Sequence, residues 1–127
     1  MKSMTKKGLV VDDSRTTAML LTKMLTTMGY ETVTCYSPRE ALVQLTKFTP
    51  DVILLDVNMP GIDGLEVARY VRRDPLSAKA SVVIISSDAE TAEISKALIA
   101  GGDVFLPKPV NFESLKLAVE DAAKIKK

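Results

Sequence analysis

The stretch Asp51-Val-Ile-Leu-Leu-Asp56-Val-Asn-Met-Pro-Gly-Ile-Asp-Gly64 decides the fold of this 127-residue chain. Four consecutive apolar residues, Val52 to Leu55, end in a carboxylate, and the turn residues Asn58, Pro60, Gly61 and Gly64 follow at once. A short unbroken apolar run between turn signals reads as a strand buried on both faces. Asp56 then stands at the strand's C-terminal end, where a loop leaves the sheet, and its carboxylate is expected to face solvent. In an open α/β sheet that edge is where ligands bind. An aspartate there can equally be a plain turn residue, so the rest of the chain has to decide.

Upstream, Leu9-Val10-Val11 is a short apolar strand ending in Asp12-Asp13. Residues 1–7 read as a flexible arm. Ser14 can cap a helix from about Arg15 to Met28, with Ala18, Leu21, Leu25 and Met28 as its apolar stripe and Gly29 as its stop. Glu31 to Tyr36 alternates, as a partly open edge strand does. Ser37-Pro38-Arg39-Glu40 combines an N-cap, a first-turn proline and a capping-box acid. The helix it opens is expected to reach about Phe48, with Ala41, Leu42 and Leu45 inward.

Downstream, Leu65 to about Arg73 is a third helix carrying Val67, Ala68 and Val71. Val82 to Ile85 is a second fully buried strand, ending in Ser86-Ser87. Asp88 can cap a fourth helix with apolar Ile94, Ala97 and Leu98, stopped by Gly101-Gly102. Asp103 to Leu106 is a short strand. Asn111 caps a last helix with Leu115, Ala118, Val119 and Ala122 inward. Five strands alternating with five helices imply right-handed parallel βαβ units. The apolar strands belong in the centre and the alternating second and short fifth at the edges. Strand order 2-1-3-4-5 satisfies this: a flavodoxin-like, doubly wound five-stranded parallel sheet.

Bulk properties narrow the chemistry. Length and a 46% hydrophobic, 26% charged composition suit one domain with one core. A net charge of +1 gives no broad attraction for nucleic acid or anionic lipid. The chain has no histidine and a single cysteine, Cys35, which reads as a small buried hydrophobe. That removes histidine catalysis, histidine metal sites and internal disulfides. No apolar run approaches a membrane span or a signal-peptide core. The expected location is cytoplasmic, with no direct nucleic-acid or membrane binding.

The predicted topology brings the polar strand ends together. Asp12 and Asp13 end strand 1, Asp56 ends strand 3, Ser86 ends strand 4 and Lys108 follows strand 5, all on one sheet edge. Unit charges about 4 Å apart repel by roughly 4 kcal/mol at an effective dielectric of 20. Three carboxylates in one crevice therefore hold protons or bind a cation. An oxygen-only ligand set indicates a hard divalent ion, most simply Mg²⁺, which keeps water and favours phosphate oxygens. A carboxylate beside Mg²⁺, a lysine and a hydroxyl suggests phosphoryl transfer to that carboxylate. Each residue taken alone has a plainer role: a solvated lysine, a strand-end hydroxyl, a helix-capping acidic pair.

With these residues in view, the chain resembles the CheY-like receiver domain of two-component response regulators. The resemblance runs from Leu9 to Ala123 and rests on Val11-Asp12-Asp13-Ser14, Asp56 to Gly64, Ile85-Ser86-Ser87 and Lys108-Pro109. It implies a single receiver domain over residues 1–127, with Asp56 as phosphoacceptor. It implies Mg²⁺, or Mn²⁺ in its place, held by Asp12, Asp13, Asp56 and the backbone carbonyl of Asn58. It makes Lys108 the phosphate-pairing lysine before a cis Pro109, and Ser86 and Phe105 the switch pair. Asn58 and Asp88 would flank the path of the hydrolytic water. The implied partners are a histidine kinase or histidine phosphotransfer protein and a downstream protein on the helix 4–strand 5–helix 5 face. Phe105 can swing inward but, unlike the tyrosine often found there, donates no hydrogen bond.

Three other readings compete. A phosphatase of the haloacid dehalogenase type wants an aspartate two positions after the nucleophile, where this chain has Asn58. A nucleotide-binding flavodoxin-like domain wants a glycine-rich first turn, where Asp12-Asp13 would repel a phosphate. A degenerate receiver that only binds protein would not keep the full set of acids, hydroxyl and lysine. The chain is expected to be a stand-alone regulator or the receiver of a longer response regulator or hybrid kinase, with Met1 or Met4 as possible starts.

Overall fold

The computed structural model describes residues 5–57, 64–87 and 90–125. The strands are β1 (Lys7–Val11), β2 (Glu31–Cys35), β3 (Val52–Asp56), β4 (Ser81–Ser86) and β5 (Val104–Pro107). The helices are α1 (Arg15–Thr27), α2 (Pro38–Leu45), α3 (Leu65–Arg73), α4 (Thr91–Ala100) and α5 (Phe112–Lys124). The sheet is parallel with order β2-β1-β3-β4-β5, as expected.

Strand alternation divides the core. Neighbouring strand residues point to opposite faces, so Leu9, Val11, Ile53, Leu55, Val82 and Ile84 pack against α2, α3 and α4. Val10, Val52, Leu54, Val83, Ile85 and Leu106 meet α1 and α5 on the other side. Every residue of β3 and β4 is buried, which is why both read as continuous apolar runs.

The caps behave as their chemistry dictates. Ser37 Oγ accepts from the Glu40 N–H, and the Glu40 carboxylate reaches back to the Tyr36 N–H. Asn111 and Ser114 form a reciprocal capping box at α5.

Three expectations are corrected. The arm does not extend through Lys7: Lys6 O accepts from Glu31 N, and Lys7 N donates to the Asp51 carboxylate, so both join the sheet's lower edge. α2 stops at Leu45 rather than Phe48, because the Thr46 hydroxyl takes the Val43 carbonyl at 2.6 Å and closes the last turn. Asp103 precedes β5 instead of starting it, since its carboxylate turns back to Arg72 and to the Val82 N–H. Of the apolar residues on α4, Ala97 and Ala100 are buried among the described residues, while Leu98 is exposed. Asp88, the expected α4 cap, lies outside the described residues, and α4 begins at Thr91 after Glu90.

Truncating the central strand should separate core from surface. Leu54→Ala should cost about 2–5 kcal/mol, whereas Ile99→Ala, at a position 86% exposed, should stay within about 0.5 kcal/mol. Urea denaturation midpoints check both; equal losses would contradict this core assignment.

Candidate functional site

β1 and β3 are adjacent and parallel, with Val11 opposite Leu55, so their next residues emerge side by side. Asp12 N donates to Cys35 O and Val57 N to Ile85 O, extending the ladders one residue past the strands. The carboxylates are thus fixed by backbone hydrogen bonds as well as by loop conformation. Asp12, Asp13 and Asp56 each offer an oxygen, all within 4.8 Å of one another. Asp13 is exposed, while Asp12 is 0% and Asp56 1% exposed. Asp56 therefore does not face solvent as expected: the sheet edge and its loops enclose it.

Lys108 supplies the opposite charge. Its backbone N–H donates to Ser86 O at 2.9 Å, and the Lys108–Pro109 peptide is cis. Its Nζ lies 3.4 Å from Asp56 Oδ2 and 3.5 Å from Asp12 Oδ2. One lysine stands against three carboxylates, which leaves the site negative.

Burial and this charge balance both act on the protonation of Asp12. Burial chiefly pushes its carboxyl up, from 3.8 to about 6. The Ser14 N–H, donating to Oδ1 at 2.9 Å, opposes this. The charge of Asp56 adds to the rise and that of Lys108 lowers it. Asp12 Oδ2 is buried and accepts no hydrogen bond among the described residues. A buried carboxylate oxygen in an acidic cluster, with no hydrogen bond and only the 3.5 Å ion pair to Lys108, is what a hard cation would satisfy. The donor set fits Mg²⁺: Asp12, Asp13 and Asp56 would hold it.

Ser86 is 1% exposed at the end of β4, beside β3, with Asp56 opposite Ile85. It shares a cavity of about 110 Å³ with Phe105, which is half-buried. Acids, lysine and hydroxyl thus gather at one sheet edge, with Phe105 one cavity away. Asn58 and Asp88 lie outside the described residues. Sequence reasoning did not foresee the Arg15 guanidinium lying 4.2 Å from the Tyr36 ring centre. Arg15 is four residues before Met19 on α1 and Tyr36 just past β2, so only the fold brings them together.

A family model described as the response regulator receiver domain matches residues 9–120. The chain belongs to that family. Its members are signalling domains that bind Mg²⁺ through an acidic cluster and interact with histidine kinases and downstream targets. A probable chemotaxis protein CheY of Rhizobium etli is 31% identical over 115 residues, covering 90% of this chain and 89% of that protein. The DNA-binding response regulator MtrA of Mycobacterium tuberculosis is 29% identical over 127 residues, all of this chain and 54% of MtrA. The chain spans less than half of the first two curated relatives it matches, 46% and 27% of their lengths.

Among solved structures, Vibrio cholerae chemotaxis protein CheY4 superimposes with a TM-score of 0.87 at 30% identity, covering 93% of this chain and 98% of that one. A Burkholderia pseudomallei response regulator, solved with a phosphorylated aspartic acid, a calcium ion and citrate, gives 0.83 at 27% identity. That match covers 94% of this receiver and 69% of the other chain. No helix among the described residues is long and apolar enough to cross a membrane.

The raised Asp12 carboxyl sets a pH dependence for the metal-free protein. An acid whose folded pKa exceeds its unfolded value favours folding while protonated. That contribution is complete below 3.8 and is lost as pH rises through about 6. Denaturation in chelator should show stability falling across this window in the parent and a flatter limb in Asp12→Asn. An identical slope in both proteins would contradict the assignment.

Proposed function

We propose that this receiver accepts a phosphoryl group from a phosphohistidine on Asp56. The observation that carries the reading is the buried Asp56 carboxylate, 3.4 Å from Lys108 Nζ and beside Asp12 and Asp13. An Asp56 oxygen attacks phosphorus in line, forming the O–P bond as the donor's N–P bond breaks. The electron pair of that bond stays with the imidazole nitrogen. A divalent cation, when bound, supplies positive charge to the phosphoryl oxygens. Lys108 pairs with one of those oxygens, exchanging a carboxylate contact for a phosphoryl contact. The Burkholderia relative with its phosphorylated aspartic acid supports this choice of chemistry.

Hydrolysis reverses the modification. Water attacks phosphorus, the O–P bond to Asp56 breaks, and inorganic phosphate leaves. Asn58 and Asp88, two residues after Asp56 and Ser86, flank the path of that water in this reading. The phosphatase alternative falls away with the family match over residues 9–120. The domain works as a switch rather than a classical enzyme, since its own carboxylate is the substrate.

The signal passes through Ser86. Its hydroxyl donates to the new phosphoryl oxygen, Phe105 turns into the vacated space, and the α4–β5–α5 face changes its affinity for a downstream protein. The donor is a histidine kinase or histidine phosphotransfer protein. We place the domain in the cytoplasm, acting through protein partners; any DNA-binding output would belong to a further domain of a longer regulator.

Two variants test the assignment. With acetyl phosphate and Mg²⁺, intact mass should show one added phosphoryl group on the parent and none on Asp56→Asn; a phosphorylated Asp56→Asn protein would overturn the choice of acceptor. Asp13→Ala should slow the reaction more than Asp12→Ala.

Ser86→Ala should still accept phosphate but should lose most of the amide shift on the α4–β5–α5 face. A hydrogen bond to a charged group is worth roughly 1.5–3 kcal/mol. Its loss moves the active-state ratio about ten- to a hundred-fold. Full parental shifts in Ser86→Ala would remove Ser86 from the coupling route.

A further inference from the structure

α4 is held very unequally along its length. In its first half Ala92, Glu93, Ser95 and Lys96 are exposed and Ile94 is only half-buried. The cavity shared by Ser86 and Phe105 is walled by Glu93 and Lys96 of this half and ends at Ala97, where the second half begins. The second half buries Ala97 and Ala100. It then runs into a dense set of hydrogen bonds centred on Arg72, at the C-terminal end of α3.

The Arg72 guanidinium has four acceptors. Nε donates to Gly101 O at 2.9 Å, and Nη1 to Ala78 O at 3.0 Å and Ala80 O at 2.6 Å. Nη2 donates to Asp103 Oδ2 at 2.8 Å, and that oxygen also accepts from Val82 N at 2.8 Å. One planar, permanently charged group thereby joins α3, the α3–β4 loop, the start of β4 and the end of α4. The carboxylate of Asp103 is only 7% exposed, so the pair is largely shielded from solvent.

The backbone adds to this anchor. Gly101, at φ +133°, packs so closely that an added Cβ would fall 3.1 Å from Ala68 O. A Cβ on Gly102 would fall 2.4 Å from Ile84 Cγ1. The end of α4 therefore lies close against Arg72 and Ala68 of α3 and Ile84 of β4, where the two glycines leave no room for a side chain of their own.

We propose that the Arg72–Asp103 clasp is the fixed end of α4. The helix then answers a change at Asp56 by swinging its Thr91–Lys96 half over the cavity while Ala97–Ala100 stay in place. A ten-residue helix is about 15 Å long and stiff, so one pinned end turns a small displacement near Ser86 into a tilt. Val82 and Ser86 are about 13 Å apart along β4 at roughly 3.3 Å per residue. The pivot and the trigger thus sit at opposite ends of one buried strand. This inference rests on Asp56 being the site that is modified.

Backbone-amide NMR and hydrogen exchange of the parent test it, with Mg²⁺ and beryllofluoride as the phosphoryl mimic. First-turn amides exchange quickly in any helix, so the readout is the change on adding the mimic. Shifts and exchange should change at Ile94–Lys96 and stay nearly constant at Leu98–Gly102. The double variant Arg72→Gln/Asp103→Asn removes both charges together, leaving neither buried alone. In it, protection at Leu98–Gly102 should fall about tenfold or more, and the response to the mimic should spread into those residues.

Even changes along all of α4 in the parent would overturn the pivot. So would a folded double variant whose response stays confined to Ile94–Lys96. If the double variant does not fold, the parent's profile alone decides. If the Val57 amide beside Asp56 does not respond to the mimic at all, the phosphoacceptor reading fails and the pivot falls with it. A response at Val57 with a uniform α4 condemns the pivot alone.

Discussion

The approach of the Lys108 ammonium to the carboxylates of Asp56 and Asp12, at 3.4 and 3.5 Å, is the contact on which the rest of the site depends. Two nearly inaccessible carboxylates would repel strongly without it. Three strands have to end at one level to make it: β1 and β3 side by side, and β5 close enough for Lys108 to bond Ser86 O. The parallel sheet thus does more than bury apolar surface. It sets the separations between charges that a flexible loop could not hold.

The same contact leaves the site unfinished. One lysine cannot neutralise three acids; burial above all, and the charge of Asp56 after it, raises the Asp12 carboxyl, and its Oδ2 lacks a hydrogen bond among the described residues. A cation, and then a phosphoryl group, are the natural completions of such a site. Local instability at the functional edge is balanced by β3 and β4, which are buried throughout. The opposite pole is tied by Arg72 and Asp103, so change near Asp56 has a rigid frame to act against.

Most of the fold was legible because its signals were local. The runs Val52–Leu55 and Val82–Ile85 could only be central strands, and the Ser37 and Asn111 caps fixed two helix starts. The nearness of Asp12, Asp13, Asp56, Ser86 and Lys108 was legible because each sits at or just past a strand end, where topology alone sets proximity. What was not legible depended on long-range packing. The Arg72 clasp links residues 31 apart in sequence, and neither carries a local mark of its partner. The burial of Asp56 was misjudged for a similar reason, since the exposure of a strand-end carboxylate depends on what packs over it and not on its own strand. Leu98 has the periodicity of a core residue, yet α4 packs through its alanines.

The central claim is that Asp56, among three neighbouring aspartates, is the one that becomes an acyl phosphate. Borohydride reduces an aspartyl phosphate to homoserine, which marks the modified position permanently. The protein should be treated with acetyl phosphate and Mg²⁺, reduced, digested and sequenced by mass spectrometry. Homoserine is expected at position 56 alone, and none when Mg²⁺ is chelated. Homoserine at position 12 or 13, or at no position despite bound Mg²⁺, would contradict it.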